Sequence, residues 1–389
     1  MNITLPAHEL SQKPASKTEG IKATIGKKKI YLTVTTDLSY DQRMIRICTS
    51  LANAGYEVIL VGRKLRQSVL LIYQPFQQHR INCLFEKGKL FYAEYNARLF
   101  FYLLSKKPDC IVSIDLDTIL PGLWISQLKQ ITRVYDAHEL FCEMKEIVSR
   151  PSIYKWWKKL ERYAVPRFSQ GYTVNQPIAD KFREMYGVNY SVIRNMALLH
   201  DINPEPCKEC FILYQGAVNE GRCFETLIPA MISVNSTLLI CGDGNFMQQA
   251  VQLVNEYQLQ DKVIFKGKLD PVELRELTKT ARIGITLFDD TGLSNYFSLA
   301  NRFFDYMQAG IPQLCIDYPV YREVNDEYHI ALLIKEVSAG NIALQLNKLL
   351  NDQVMYDKLR QNCLHARQVL NWQEEEKKLL AFYRKVFLE

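Results

Sequence analysis

The sequence predicts an α/β protein of two doubly wound, Rossmann-like domains that face a central cleft. Apolar runs typical of strands alternate with segments of helical spacing across residues 27–195. Pro204 and Pro206 then mark an aperiodic stretch, and the same alternation restarts at residue 210. Strands that alternate with helices form parallel β-α-β units, and the ligands of such sheets bind beyond the carboxyl ends of the strands.

The predicted elements follow in chain order. In the first half, strands are expected at 29–35, 56–62, 81–85, 110–114, 132–135 and 171–174, and helices at 44–54, 93–105, 121–129, 153–163 and 178–186. In the second half, strands are expected at 211–215, 237–241, 263–266, 283–287, 313–316 and 331–334, and helices at 222–234, 246–257, 271–280 and from Ser298 onward. The predicted division is a flexible arm (1–26), an N-terminal domain (27–195), a linker (196–209), a C-terminal domain (210–371) and a helix (372–389) that packs back on the N-terminal domain.

The composition is that of a globular protein with full cores. Of the 389 residues, 48% are hydrophobic and 23% are charged, and no run approaches the roughly 20 apolar residues of a membrane span. The polar N-terminus does not resemble a signal peptide. The ten cysteines lie mostly singly in apolar segments, which favours buried thiols and a cytoplasmic location. Cys207 and Cys210 have metal or redox spacing, but no second pair accompanies them.

Charge is unevenly distributed along the chain. Residues 27–195 hold 26 Lys and Arg against 15 Asp and Glu, whereas residues 196–389 have a net charge of −6. This asymmetry argues against a uniform nucleic-acid-binding surface. It is typical of a half that approaches an anionic partner, such as a membrane face or a phosphorylated acceptor.

Residues 298–312 predict a helix beside a phosphate site. Ser298 is expected to cap the helix and Gly310 to end it. A helix start attracts anions, and Asp305 would accept hydrogen bonds from sugar hydroxyls nearby. The alternative is an ordinary packed helix with an exposed Asp305.

Further strand ends of the second half carry small or polar residues. Gly216 ends one strand, and Arg222 is expected to open the next helix and bind phosphate oxygens, although a solvated Arg on a surface turn fits equally well. The other candidates on this edge of the sheet are Gly242, Gly244, Gly267 and the loop 289–296 with Asn295.

The first half has its own polar strand ends. His138 could donate to a sugar hydroxyl, shuttle a proton or serve only as a hydrogen-bonded structural residue. Its polar neighbours on the predicted edge are Asp37, Asp41, Arg43, Asp115, Asp117 and Glu139. Apart from the isolated pair Cys207 and Cys210, no His, Cys or carboxylate cluster has metal-ligand spacing, so no metal is predicted.

The segment 153–163 combines Trp156 and Trp157 with several Lys and Arg residues. Aromatic and basic side chains together suit a membrane surface. Core packing is an equal alternative, because adjacent residues of a helix point in different directions.

Four motifs resemble the retaining GT-B glycosyltransferases of the group-1 type, relatives of sucrose and glycogen synthases. They are Tyr135-Asp-Ala-His-Glu139, Asn219-Glu-Gly-Arg222, Cys241-Gly-Asp-Gly244 and Ser298-Leu-Ala-Asn-Arg-Phe-Phe-Asp-Tyr-Met-Gln-Ala-Gly-Ile-Pro312. The resemblance covers the chain from about Lys28 to its end. It implies transfer of a sugar from a nucleotide-diphosphate-sugar to an acceptor with retention at the anomeric carbon and without an essential metal.

The resemblance also implies roles for residues. Arg222 matches a residue that binds the donor diphosphate, Asp305 matches the second Glu of an E-x7-E motif that binds the ribose, and His138 matches a residue close to the transferred sugar. Catalytic roles are thus expected for Arg222 and His138. The expected donor-binding residues are Gly216, Arg222, Gly242, Gly244, Gly267, Asn295, Ser298, Leu299, Asn301 and Asp305. The expected acceptor-side residues are Asp37, Asp41, Arg43, Asp115, Asp117 and Glu139.

Three positions depart from the family pattern. Ala217 stands where a second basic residue is common, Phe297 replaces the first Glu of E-x7-E, and Asp305 shortens the second. The expected function is transfer to a saccharide or lipid-linked acceptor in cell-surface polysaccharide or glycolipid assembly, in the cytoplasm or at the inner membrane face, with no cofactor besides the donor substrate. A catalytically silent nucleotide-sugar-binding partner protein and a nucleotide-sugar epimerase remain alternatives.

Overall fold

The protein is described by a computed structural model that covers residues 27–39, 41–200, 211–289 and 293–388. The predicted arm (1–26), most of the predicted linker and the pair Cys207 and Cys210 lie outside the described residues. The chain forms two parallel sheets with interleaved helices, which confirms the predicted fold class.

The first sheet defines the N-terminal lobe. Its strands have the order β3-β2-β1-β4-β5-β6-β7, and every pairing is parallel. They are β1 (Lys29–Thr33), β2 (Glu57–Lys64), β3 (Gln77–Asn82), β4 (Cys110–Ile114), β5 (Thr132–Ala137), β6 (Gln170–Thr173) and β7 (Ser191–Val192). The helices of this lobe are α1 (Gln42–Asn53), α2 (Gly88–Leu104), α3 (Ile119–Lys129), α4 (Lys145–Val148), α5 (Pro151–Ala164) and α6 (Gln176–Tyr186).

The second sheet defines the C-terminal lobe. Its order is β10-β9-β8-β11-β12-β13, again parallel throughout. The strands are β8 (Phe211–Gln215), β9 (Thr237–Cys241), β10 (Val263–Gly267), β11 (Ile283–Thr286), β12 (Gln313–Ile316) and β13 (Ala331–Ile334). The helices from this part of the chain are α7 (Phe224–Ala230), α8 (Met247–Glu256), α9 (Pro271–Thr280), α10 (Leu293–Tyr296), α11 (Asn301–Ala309), α12 (Pro319–Tyr328), α13 (Ala339–Asn351), α14 (Gln353–Ala366) and α15 (Trp372–Leu388).

The strand order reverses at one point in each sheet. The chain runs outward from β1 on one side and from β4 on the other, and β8 and β11 form the same arrangement in the second sheet. Loops that leave two such strands diverge and open a crevice, which is where ligands of doubly wound sheets bind. The polar strand ends expected from the sequence follow these strands and their neighbours β5, β9 and β10.

The last helix, α15, packs on the N-terminal lobe. Leu379 and Tyr383 are fully buried within the cluster that contains the β1 and α1 side chains. Trp372 Nε1 also donates to Ser50 Oγ on α1 at 3.0 Å. Burial of large apolar side chains stabilises this packing by about 1.5–3 kcal/mol each. The end of the chain thereby contributes to the core of the first lobe.

Several predicted boundaries are wrong for identifiable reasons. The strand expected at 81–85 is β3, which spans Gln77–Asn82 at the edge of the sheet. Its residues are mostly polar, so it lacks the apolar pattern by which strands are recognised in a sequence. The helix expected to open at Arg222 begins at Phe224, after Cys223 with φ 59°.

The predicted helix end at Gly310 is confirmed, with φ 72°. No helix among the described residues is both long and apolar enough to cross a bilayer.

Candidate active site

A cleft of about 1000 Å³ lies at the carboxyl ends of β8, β9 and β10. Its wall from the C-terminal lobe includes Gly216, Ala217 and Gly242, and the same wall extends to Asn301 and Asp305 on α11. The N-terminal lobe contributes side chains from α1 to the opposite wall, Gln42 and Arg46. The cleft therefore lies between the two lobes, where the sequence predicted it.

Glycines allow the strand-end loops of the C-terminal lobe to pack closely. Gly242 has φ +152°, and a Cβ there would lie 1.8 Å from the Gly216 carbonyl oxygen. A Cβ on Gly244 would lie 2.3 Å from the Val218 carbonyl oxygen. Gly267 has φ +67° but no atom within 4 Å of an added Cβ, and it is the next residues, Lys268 and Leu269, that line the cleft. Gly216 and Gly242 thus share the cleft wall.

Asp305 faces the cleft from α11. Its Oδ2 accepts a hydrogen bond from Gln215 Nε2 at 3.0 Å. Burial raises the pKa of Asp305 to about 6, although the Arg46 guanidinium acts in the opposite direction. Asn301, at the start of α11, accepts from Asn195 Nδ2 of the N-terminal lobe at 2.6 Å. The start of this helix is therefore a point where the two lobes meet.

Arg222 lies outside the wall of this cleft, at a neighbouring site on the C-terminal lobe. Its Nη1 donates to Asn295 Oδ1 at 2.9 Å, and its guanidinium lies 4.4 Å from the Phe288 ring centroid. Burial lowers the pKa of Arg222, and the nearby Arg302 lowers it further. The alternative of a solvated arginine on a surface turn does not hold, because the side chain is fixed against an aromatic ring.

Ser298 does not cap the helix. Its Oγ donates to the Asn295 carbonyl oxygen at 2.9 Å, which anchors the loop in front of α11. The helix begins at Asn301, and the Ala300 N–H donates to the Tyr321 hydroxyl at 3.0 Å. Leu299 packs against the core of the C-terminal lobe. The prediction of a serine cap was wrong because Ser298 bonds back to the short helix α10, and the N-cap position of α11 is Ala300, two residues later.

A charged cluster forms at the carboxyl ends of β4 and β5. Arg43 Nη2 pairs with Asp136 Oδ1 at 2.9 Å, and both side chains are buried. His138 Nε2 lies 3.2 Å from Asp136 Oδ2 and 2.9 Å from Arg43 Nε. The His138 backbone N–H donates to Asp115 Oδ1 at 2.9 Å. Sequence reasoning singled out His138, Arg43 and Asp115, and the structure brings them together.

The protonation of His138 depends on this cluster. Burial lowers the pKa of His138, but the Asp136 and Asp115 carboxylates outweigh it and raise the pKa to about 9. A pKa of about 9 favours the protonated ring at neutral pH, with Nε2 3.2 Å from Asp136 Oδ2 and Nδ1 3.5 Å from Asp115 Oδ2. A protonated imidazole can donate a hydrogen bond to a substrate oxygen, but it cannot accept a proton.

Other predicted acceptor-side residues are engaged in local structure. Asp41 caps α1 by accepting from the Met44 N–H, and Asp37 accepts from Ser68 Oγ and the Ser39 N–H. Asp117 accepts from Thr35 Oγ1, and burial raises its pKa to about 7. Within the described residues, no group of three or more His, Cys, Asp or Glu side chains has the arrangement of a metal site.

Direct contacts between the two lobes connect the Arg222 site with the His138 cluster. Ser294 Oγ donates to Glu139 Oε2 at 3.2 Å, and Lys145 Nζ pairs with Asp289 Oδ2 at 3.2 Å. Asn175 Nδ2 donates to the Phe297 carbonyl oxygen at 2.7 Å. Helix α10, which carries the Arg222 partner Asn295, is thus held against the lobe that carries His138.

The two tryptophans of α5 have different environments. Trp157 is buried and contacts Tyr92 and Phe141, whereas Trp156 is 56% exposed. Core packing therefore accounts for one ring, and the other remains available at the surface.

Sequence reasoning missed Arg46, Asp136, Lys145 and Arg302. Arg302 lies on the buried side of α11 between residues that were recognised, and a basic residue at an otherwise apolar position was the available signal. The positions of Arg46 and Lys145 beside the other lobe depend on how the lobes meet, for which a single sequence offers no signal.

Comparison with known proteins identifies solved structures of the same two-lobed fold. No curated protein is significantly similar to this chain in sequence. Among solved structures, sucrose-phosphate synthase from Thermosynechococcus elongatus is similar in fold, with a TM-score of 0.76 and 18% identity over 93% of this chain and 100% of that chain. Anabaena Alr3699/HepE in complex with UDP-glucose gives a TM-score of 0.70 and 13% identity, with coverage of 92% and 99%. WaaG, a glycosyltransferase involved in lipopolysaccharide biosynthesis, gives 0.70 and 15%, with coverage of 90% and 98%.

The chain therefore has the fold of the GT-B glycosyltransferases. Residues 197–365, most of the C-terminal lobe, match the family model described as glycosyl transferases group 1. The match agrees with the group-1 resemblance in the C-terminal lobe, where three of the four motifs lie.

Proposed function

We propose that the protein transfers a sugar from a nucleotide-diphosphate-sugar to a saccharide or lipid-linked acceptor, with retention of configuration and without a metal. The main support is the placement of Arg222 beside the cleft, where it donates to Asn295 of α10. The neighbouring Ser294 donates to Glu139, the residue next to His138 in the other lobe. The nucleoside would bind along the cleft with its ribose hydroxyls on Asp305, and the diphosphate would extend toward Arg222. The sugar would then lie near Glu139 and His138.

The residues suggest how transfer would proceed. The bond between the anomeric carbon and the phosphate oxygen breaks, and the diphosphate takes the electron pair. The acceptor oxygen bonds to the same carbon and its proton passes to the departing phosphate. Arg222 would stabilise the charge that develops on the leaving group, a role in which one lost donor costs roughly 10²–10³ in turnover. Protonated His138 would orient the sugar by donating to an oxygen.

The surface of the N-terminal lobe supports an acceptor at a membrane. Leu70, Ile72 and Tyr73 are 93%, 78% and 92% exposed, and the exposed Arg66 is nearby in the chain. Apolar side chains beside cations suit the interface of an anionic bilayer. We propose a peripheral contact with the cytoplasmic membrane face through this loop. Flotation with anionic vesicles, compared between the wild type and Leu70→Glu, tests it, and equal flotation of both would refute it.

The proposed activity can be tested in two stages. A thermal-shift screen with UDP, GDP and ADP identifies the nucleotide, because a ligand of the native state raises the melting temperature. The matching nucleotide-sugars are then incubated with saccharide acceptors, and NMR of the product reports the anomeric configuration. A product of inverted configuration would refute retention.

A silent nucleotide-sugar-binding protein is the second candidate. Phe297, which stands where the family has a glutamate, packs against the core of the N-terminal lobe and offers only its carbonyl to Asn175. Binding of a nucleotide-sugar without turnover for any acceptor would favour this candidate. Conversion of the sugar in the absence of acceptor would instead indicate an epimerase.

A further inference from the structure

Arg302 is a buried cation without a counter-charge among the described residues. It is 7% exposed, and no described carboxylate lies within ion-pair distance of its guanidinium. Its Nη2 makes one long hydrogen bond to the Leu287 carbonyl oxygen at 3.4 Å, and its Nε has no partner. Burial of an unpaired charge is costly, and the cost is usually offset by an ion pair or a ligand.

A second guanidinium shares the same aromatic ring. Arg302 Cζ lies 4.7 Å from the Phe288 centroid, and Arg222 Cζ lies 4.4 Å from it. Tyr214 provides another face for Arg302 at 4.8 Å. Aromatic faces attract cations, but they do not neutralise two of them. The pair is therefore electrostatically unfavourable until an anion approaches.

Arg302 also reaches the wall of the cleft. A Cβ on Gly216 would lie 3.5 Å from Arg302 Nη1, and Gly216 and Ala217 both line the cleft. Gly216 thus leaves the guanidinium close to the strand-end loop, where the uncharged Ala217 provides no cation of its own.

We propose that Arg222 and Arg302 form a guanidinium pair that binds the diphosphate of the donor, with Arg302 supplying the positive charge that Ala217 does not. This inference rests on the proposed function. Two planar guanidinium groups suit adjacent phosphoryl groups, because each can donate two parallel hydrogen bonds. Both groups contact the ring of Phe288, and the diphosphate would offset their mutual repulsion.

The test compares Arg302→Met with a matched substitution elsewhere. Methionine is similar in length and uncharged, and Arg302→Lys restores the charge. Arg282→Met is the control, because Arg282 also lies on an aromatic ring, 3.4 Å from the Tyr356 centroid, but it follows α9 and does not line the cleft. The full-length variants are titrated by calorimetry with UDP, GDP, ADP, inorganic pyrophosphate and the corresponding nucleosides.

We expect Arg302→Met to weaken binding of the nucleoside diphosphate by about 10–100-fold, the scale of a hydrogen bond to a charged group. Binding of the nucleoside should be unchanged, Arg302→Lys should recover part of the loss, and Arg282→Met should bind as the wild type does. Adding Ala217→Lys to Arg302→Met should restore affinity, since it returns a cation to the same loop.

The outcomes separate this inference from the proposed function. If the wild type binds a nucleoside diphosphate and Arg302→Met binds it equally well, the guanidinium pair is refuted and the proposed function stands. An equal loss of nucleoside and diphosphate binding would also refute the pair, because it would indicate a general structural role. If the wild type binds none of the nucleotides and no pyrophosphate, both proposals fall together.

Discussion

Ser294 Oγ of the C-terminal lobe donates a hydrogen bond to Glu139 Oε2 of the N-terminal lobe at 3.2 Å. Ser294 precedes Asn295, the hydrogen-bond partner of Arg222, and Glu139 follows His138. Asn295 accepts from Arg222 in the C-terminal lobe, and His138 pairs with Asp136 in the N-terminal lobe. One hydrogen bond therefore joins the site proposed for the diphosphate to the site proposed for the sugar.

This hydrogen bond should affect turnover more than stability. Ser294→Ala and Glu139→Gln are each expected to reduce kcat about tenfold, because a lost hydrogen bond to a charged group loosens the approach of the two lobes. The double variant should be little worse than either single variant, since both remove the same contact. Steady-state kinetics of the four proteins measures the coupling.

The control for this cycle is Ser105→Ala, which removes an exposed hydroxyl that bonds only within its own helix end. It should leave kcat unchanged. Strictly additive losses in the double variant would show that Ser294 and Glu139 act independently.

His138 should make stability depend on pH in the alkaline range. Its pKa is raised from 6.5 to about 9 in the folded protein by the Asp136 and Asp115 carboxylates, which outweigh the effect of burial. A histidine whose pKa is higher in the folded state stabilises the fold fully at pH values below its unfolded-state pKa. This contribution is lost as the pH rises through the folded-state pKa. The free energy of unfolding should therefore fall between pH 6.5 and 9 in the wild type.

His138→Gln should remove this part of the pH dependence. Denaturant unfolding at pH 6, 7.5 and 9 measures it, and the exposed His365→Gln is the control that should follow the wild type. If His138→Gln and the wild type lose stability in parallel over this range, the carboxylates of the cluster do not raise the pKa of His138.

Gly242 should not tolerate a side chain. A Cβ would lie 1.8 Å from the Gly216 carbonyl oxygen, and the φ of +152° disfavours any other residue. Gly242→Ala should displace the loops after β8 and β9 and weaken nucleotide binding by at least tenfold, as measured by calorimetry.

Gly340→Ala is the matched control for this substitution. Gly340 lies in α13, and an added Cβ would meet nothing within 4 Å. Alanine in a helix is favoured over glycine by roughly 0.5–1 kcal/mol, so this variant should be slightly more stable than the wild type. Wild-type nucleotide affinity in Gly242→Ala would show that the two loops do not form the site.

The fold could be predicted because its signals are local. Alternating strands and helices, the break near residue 200 and the glycine at the end of α11 each appear in a short window of sequence. The edge strand β3 and the short helix α10 carry weak local patterns, and the boundaries around them were misplaced.

The site was predicted only in part, because its charges depend on distant partners. His138 and Arg43 were recognised separately, but their common partner Asp136 is buried within a strand and was not. Arg302 was overlooked because its guanidinium meets Tyr214 on β8 and Phe288 in the segment after β11, both outside α11. Such pairings follow from the strand order and not from the spacing of residues.

Asp305 should show opposite effects on stability and binding. Burial raises its pKa from 3.8 to about 6, so the charged carboxylate destabilises the fold above pH 6 and this penalty disappears as pH falls toward 3.8. Asp305→Asn should therefore melt at a higher temperature than the wild type at pH 7.5 and at the same temperature near pH 4.

The affinity of Asp305→Asn for the nucleoside diphosphate should nevertheless fall about tenfold, because an amide accepts hydrogen bonds from ribose hydroxyls less well than a carboxylate does. Wild-type affinity should likewise decrease below pH 6, as the carboxylate is protonated. Thermal melts and calorimetry across this range measure both effects, with the exposed Asp357→Asn as the control. Unchanged affinity in Asp305→Asn at pH 7.5 would show that Asp305 does not bind the ribose.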